Sequence, residues 1–218
     1  MEQLFDDVFP FWKIVREEDR KIFISSSNLV KKEKGSIIFN GGNDCDGVII
    51  VKSGRIRVYI TSPNGNEITL FRLLDGDLCI MSASCIIKNL SFESEMLFEE
   101  DSEILVIPKN VYNEMSEKYS QIKDYTLEIV SGKFSDVMWV FNQFVFSNMA
   151  SRLAASLMEY RTFEDDNILN VTHETIARDL GTAREVVTRL LKQFQLNGIV
   201  KLSRGKIEIL NMEELSKY

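Results

Sequence analysis

The spacing of apolar residues changes along this chain, and each change marks a different kind of element. From Phe5 to Ser27 the spacing is helical, with Phe9, Phe11, Trp12, Ile14, Ile22 and Phe23 as candidates for burial. From Lys31 the period falls to two. Ser36–Phe39, Gly47–Val51, Arg55–Ile60 and Glu67–Phe71 read as strands, followed by strands near 90–99 and over Glu103–Ile107. Turn sequences separate them: Asn40-Gly41-Gly42-Asn43, Lys52-Ser53-Gly54, Pro63-Asn64-Gly65-Asn66 and Asp75-Gly76-Asp77. Asn64-Gly65 is the strongest hairpin signal among them. Short strands at even spacing predict a sandwich or barrel.

After Pro108 the helical period returns. Lys109–Tyr119 predicts a short amphipathic helix, and about 122–146 predicts a long one. In the long helix Leu127, Val130, Phe134, Val137, Phe141 and Phe144 are spaced alternately three and four, the heptad seam of a two-stranded coiled coil. The same stripe could instead lie on the chain's own barrel. Trp139, Val140 and Val145 lie off the seam and are placed for that contact. A further helix, about 148–163, has Met149, Leu153, Leu157 and Tyr160 as its apolar stripe, and Glu164-Asp165-Asp166-Asn167 reads as a loop.

Thr172 to Phe194 reads as two short helices around Gly181. Thr172 is placed to cap the first, whose apolar face is Ile176, Ala177 and Leu180. Thr182 is placed to cap the second, with Glu185 at the acid position of a capping box. In that helix Val186, Leu190 and Phe194 recur at spacing four, with Val187 and Leu191 beside them. Arg184, Glu185, Thr188, Arg189 and Lys192 occupy the other face. Two short helices around a glycine turn form the helix-turn-helix motif, whose second helix enters the DNA major groove. Downstream, 199–202 and 206–210 flank Ser203-Arg204-Gly205 as a hairpin, the wing of a winged helix. Arg204 and Lys206 are placed there to meet phosphates.

This stretch resembles the CRP/FNR family of bacterial transcription regulators, whose motif is roughly Thr-x-x-x-Ile-Ala-x-x-x-Gly-x-Ser/Thr-Arg-Glu-Thr-Val-x-Arg-x-Leu. The glycines at 35, 42, 54, 65 and 76, with Asp77, fall at the corners of that family's sensor barrel. The resemblance therefore covers nearly the whole chain. It implies an α+β protein with an N-terminal jelly-roll barrel of the cyclic-nucleotide-binding type over residues 1–120. A long dimerisation helix over 121–147 and a C-terminal winged helix-turn-helix over 148–218 complete it. It also implies a homodimer that reads an inverted repeat of TGTGA-like half-sites in double-stranded DNA and works with RNA polymerase. Arg184, Glu185 and Arg189 match positions that read base edges in the family, and Thr172, His173, Thr182, Thr188, Lys192 and Arg204 join them as candidate DNA contacts. The chemistry agrees, because arginine forks onto guanine O6 and N7 and glutamate accepts from cytosine N4. Ala183 and Val186 depart from the family pattern and leave the outer bases of the half-site open.

The net charge of −7 alters this picture only in its distribution. The excess acid lies before about residue 148. The stretch 178–206 is locally basic, and that local patch is what a phosphate backbone meets. Cys45, Cys79 and Cys85 make no disulfide framework, the N-terminus is acidic rather than signal-like, and no apolar run is long enough for a membrane span. A reducing, cytoplasmic setting is expected.

The effector is where the resemblance weakens. Cyclic-nucleotide-binding members hold the ribose with a Gly-Glu pair and the phosphate with an arginine on the next strand. Here Ile80 and Met81 stand at the first position, and Ser91-Phe92-Glu93-Ser94-Glu95-Met96 holds no arginine. A cyclic phosphate needs a cation or a row of N–H donors, so the sequence argues against cyclic AMP. It argues equally against an iron–sulfur cluster, which takes four thiolates, and against haem, because the one histidine lies in the reading head. Cys79, Ile80, Met81, Ser82, Ser84, Cys85 and Ser91 are the candidates for a pocket. The two cysteines can be buried packing, a thiol sensor or part of a ligand site. Neither a nucleophile–base set nor a metal cluster argues for an enzyme. The reading is a DNA-binding regulator with an unidentified small-molecule or redox effector. The competing one is a small-molecule-binding module with a secondary DNA role.

Overall fold

The computed structural model describes residues 1–40, 47–79 and 94–218. These fall into two compact units. One comprises Met1–Ile60 with Leu70–Val137, the other Thr61–Thr69 with Met138–Tyr218.

Among the described residues the first unit holds eight strands: β1 (Asn28–Lys32), β2 (Ile37–Asn40), β3 (Gly47–Ser53), β4 (Ile56–Thr61), β5 (Glu67–Leu73, shared in part with the second unit), β6 (Leu78–Cys79), β7 (Ser94–Phe98) and β8 (Ser102–Pro108). They form two four-stranded sheets, ordered β1-β8-β3-β6 and β2-β7-β4-β5. This is the expected barrel, with β1 and β6 added. β3 is buried on both faces, so its residues form one continuous apolar run. Ile49 and Val51 face a barrel core with Ile56, Val58, Met96 and Phe98, whereas Val48 and Ile50 join a second core under the helices. Gly54 shows why this corner needs glycine: φ is +110°, and a Cβ there would meet Ser102 Oγ at 2.1 Å.

The second core is aromatic. Helix α1 (Glu2–Val8), a 3₁₀ turn (Trp12–Ile14) and α2 (Glu17–Ser26) bring together Phe5, Phe9, Phe11, Trp12 and Phe23. Phe5 stacks on Trp12 at 4.7 Å between ring centres. Ile14 and Ile22 are exposed, contrary to expectation. The lead-in is three short pieces rather than one helix, so a single helical period cannot phase it. Helix α3 (Lys109–Lys118) packs on the same core.

Helix α4 runs from Ser120 to Phe146. Ile122, Tyr125, Ile129 and Val130 pack on the aromatic core, and Tyr125 donates to the carbonyl of Val8 at 2.9 Å. Val137 packs on the barrel core. The heptad residues therefore divide. Val130 and Val137 are half-buried within the chain, while Leu127, Phe134, Phe141 and Phe144 are exposed. Trp139 and Val145 are exposed too, and Val140 is half-buried. Within the first unit, Tyr125, Ile129 and the two seam valines are the residues of the helix that pack inward.

In the second unit, α5 (Met149–Glu164) is capped by Asn148, whose side chain accepts from Ser151 N at 3.0 Å. Leu153, Leu157 and Tyr160 are buried as expected, and Met149 is only half-buried. Helices α6 (His173–Asp179) and α7 (Arg184–Leu196) follow. Strands β9 (Ile168–Leu169), β10 (Val200–Ser203) and β11 (Lys206–Ile209) form a sheet ordered β10-β11-β9. A short α8 (Met212–Leu215) ends the chain's regular structure. One core, including Leu153, Leu157, Ile176, Val187, Leu191, Phe194 and Ile207, underlies all of these elements.

Candidate nucleic-acid interface

Helix α6 begins as its sequence requires. Thr172 Oγ1 accepts from Thr175 N at 3.0 Å, satisfying a backbone donor that the first turn leaves open. Thr172→Ala is expected to lower the stability of the head by about 0.5–2 kcal/mol, read as a shift of its urea midpoint. The turn also forms as expected. Gly181 has φ +62°, and Thr182 N–H reaches back to Ala177 O at 2.9 Å.

The second cap lies one residue further on than expected. Helix α7 starts at Arg184, with Ala183 at the N-cap and no side-chain cap bond. Thr182 is therefore not the cap, and Glu185 does not complete a capping box. Thr182 N–H closes the turn onto the first helix, and α7 starts one residue later than expected. The apolar stripe moves in the same direction. Val187, Leu191 and Phe194 are fully buried, while Val186 and Leu190 are half-buried.

Opposite that stripe lies an open groove walled by Arg184, Glu185, Thr188, Arg189 and Lys192, the full set that the sequence placed on this face. Gln193 and Leu196 extend it. Neither was singled out, although Gln193 lies four residues after Arg189 and Leu196 four after Lys192, which puts them on the same face of a helix. Arg184, Glu185, Arg189 and Lys192 are exposed, and Thr188 is half-buried. Three cations and one carboxylate along a single exposed helix face can donate to guanine edges and phosphates and accept from cytosine.

His173 stands in the first turn of α6, with Nδ1 2.9 Å from Thr188 Oγ1 on α7. Burial, and then the nearby Arg184 guanidinium, hold its imidazole below the ordinary histidine value, which favours the neutral ring. Arg204 sits exposed at the β10–β11 turn. Lys201 instead pairs across that hairpin with Glu208 at 3.2 Å. Below the helices, the buried Asp179 carboxylate accepts from Tyr160 at 2.6 Å. Arg152 donates to Leu180 O at 2.6 Å and stacks its guanidinium 3.5 Å from the Phe144 ring centre.

Among the candidates for an effector pocket, Cys79 is buried in the barrel core, with Sγ 4.0 Å from Met96 Sδ. Ile80, Met81, Ser82, Ser84, Cys85 and Ser91 lie outside the described residues, as do Cys45 and Glu93.

Comparison with known proteins bears on the whole chain. A cyclic nucleotide-binding domain model matches residues 29–119, and a Crp-like helix-turn-helix domain model matches residues 151–218. A crystal structure from Eubacterium rectale, of a protein assigned to the CRP/FNR family of transcriptional regulators, is 42% identical to this chain. It has a TM-score of 0.90 and covers 97% of this chain and 98% of its own. The chain belongs to the CRP/FNR family. Its relatives include the regulatory protein HlyX of Actinobacillus pleuropneumoniae, 29% identical over 196 residues, spanning 84% of this chain and 78% of that protein. The fumarate and nitrate reduction regulatory protein of Vibrio cholerae is 28% identical over 191 residues, spanning 84% of this chain and 75% of that one. This CRP/FNR protein is thus a DNA-binding transcription regulator, from a family of regulators rather than enzymes. Among the described residues no helix is long and apolar enough to cross a membrane.

Proposed function

We propose that this regulator is a cytoplasmic homodimer that reads an inverted-repeat operator, with Arg184, Glu185 and Arg189 on base edges and Lys192 and Arg204 on phosphates. The observation that carries the reading is the division of α7. Val187, Leu191 and Phe194 are fully buried on one side, and every candidate reading residue of the helix lines one open groove on the other. The exposed Leu127, Phe134, Phe141 and Phe144 join two copies along α4. Two-fold symmetry then sets the half-sites about one helical turn, roughly 34 Å, apart. The match of Arg184, Glu185 and Arg189 to the family's Arg-Glu-x-x-x-Arg set implies TGTGA-like half-sites. Residues 1–120 serve as sensor, 121–147 as the joining helix and 148–218 as reader, with RNA polymerase as the downstream partner.

The test is a titration of wild type and Arg189→Ala on a selected operator and on scrambled DNA, at several salt concentrations. Arg189→Ala is expected to cost about 1–3 kcal/mol on the operator, the worth of one bidentate guanine contact, and much less on scrambled DNA. Lys192→Ala and Arg204→Ala are expected to weaken both DNAs and to lower the salt slope by about one unit each. Equal weakening by Arg189→Ala on both DNAs makes Arg189 a phosphate contact and removes it from the base-reading set.

A further inference from the structure

Thr188 holds its hydroxyl in an unusual way for a helical threonine. Thr126 and Thr162 turn theirs back onto the carbonyl four residues earlier, at 2.7 and 3.2 Å. This is a common resting place for the group, and a helical threonine otherwise divides between two χ1 states. Thr188 instead bonds across the turn to Nδ1 of His173, at 2.9 Å, while lining the groove between Arg184 and Arg189. Its position in that groove puts it among the side chains that face DNA, and its hydroxyl has capacity beyond the one bond to histidine.

A hydroxyl has one hydrogen to donate and two lone pairs. A neutral imidazole has one donor and one acceptor nitrogen, so the tautomer of His173 decides which part the Thr188 hydroxyl plays within the protein. If Nδ1 accepts, the hydroxyl's hydrogen is committed, and the group can only accept from adenine N6 or cytosine N4. If Nδ1 donates, the hydrogen is free for guanine O6 or N7, adenine N7 or thymine O4. In either case the bond fixes χ1; when Nδ1 accepts, the hydroxyl keeps only the acceptor role at a base edge, and when Nδ1 donates it keeps its hydrogen and one lone pair. The base pairs admitted differ between the two cases, because only the second leaves a hydrogen to donate.

We infer that His173 is a positioning residue for base reading: across the helix-turn-helix it holds the Thr188 hydroxyl so that the hydroxyl meets one base edge in the major groove from a fixed direction. This rests on the proposed reading of DNA by α7, and adds to it a residue that touches no base itself. It replaces the direct DNA contact expected of His173. The cap position belongs to Thr172, one residue earlier.

The experiment uses the full-length protein and an operator selected from random DNA by the wild type. Each base pair of the half-site is substituted in turn, and binding is titrated for wild type, His173→Phe, His173→Asn, Thr188→Val and the double variant His173→Phe/Thr188→Val. Phenylalanine keeps the ring and removes the bond, whereas asparagine carries an amide close to where Nδ1 lies. Thr188→Val is expected to reduce discrimination at one base pair about two- to ten-fold, the worth of a single hydrogen bond. His173→Phe should reduce discrimination at that same base pair, the double variant should lose no more than either single one, and His173→Asn should keep it. Thermal melting of each variant checks its fold; should His173→Phe melt early, Thr188→Val against His173→Asn still decides the question. The inference is overturned if His173→Phe leaves the Thr188 preference intact, or weakens operator and scrambled DNA alike as loss of a phosphate contact would. It is also overturned if the two losses multiply in the double variant. Arg189→Ala, run beside them, separates the failures: if it still abolishes discrimination, α7 reads DNA and only the role of His173 has failed.

Discussion

Replacing Phe134 and Phe141 together by glutamate is expected to give a monomer that keeps its fold and loses operator binding. Within one chain these rings are 65% and 58% exposed, so the substitution removes little of the intrachain core. In a seam between two copies of α4 the same rings are covered. Burying a phenylalanine is worth about 1.5–3 kcal/mol, and a two-fold axis counts each substitution twice, so the loss is on the order of 6–12 kcal/mol before any cost of the carboxylates. Enclosing carboxylates without partners adds to it. Because a nanomolar dimer is held by about 12 kcal/mol, such a loss leaves monomers at micromolar concentration. Sedimentation equilibrium reads the result directly, with melting of the barrel as the control for folding. A dimer of unchanged affinity would place the interface elsewhere than α4.

Phe194→Ala is expected to destabilise the DNA-binding head by about 3–5 kcal/mol, the range for emptying a large aromatic from a closed core. Phe194 is fully buried at the end of the α7 stripe, and its ring lies 4.8 Å from that of Tyr218. Together with Val187 and Leu191 it sets the rotation of α7, and so the direction in which Arg184 and Arg189 face. Urea unfolding followed by far-ultraviolet circular dichroism gives the stability. DNA binding is expected to fall with the folded fraction of the head. A cost below about 1 kcal/mol would mean that neighbouring side chains collapse into the space.

Both predictions depend on features that differed in how readily the sequence displayed them. The barrel was legible because its corners are glycines with positive φ at 35, 54, 65 and 76, positions that few other residues adopt. β1 was missed because Asn28–Lys32 is mostly polar, and β6 because two residues carry no period. In α7 the face was legible but its phase was not. Val186-Val187 and Leu190-Leu191 offer two adjacent stripes of equal hydrophobicity, and only packing against Ile176 and the other residues of the head core chooses the second. The cap at Thr182 failed for a related reason. Threonine is a good N-cap, but Thr182 ends the turn that closes on Ala177 and the helix begins at Arg184, which leaves Ala183 at the cap position. The base-reading candidates were found together because a helix face is a local property. The bond from His173 to Thr188 joins residues fifteen apart in different helices, and no local pattern announces it.

The chain's two tryptophans occupy opposite surroundings: Trp12 is 2% exposed in the aromatic core, and Trp139 is 56% exposed on α4. Indole fluorescence moves to shorter wavelength as water is excluded, so the protein contains a blue and a red emitter that one excitation wavelength reveals together. Loss of the blue component reports melting of the N-terminal helices. Trp139 lies five residues from Phe134 and two from Phe141, on the side of α4 away from the seam. Dimerisation along the seam therefore leaves the red component in place, and its quenching by iodide separates any ligand or partner that covers the outer face of the helix from the pairing of the two chains.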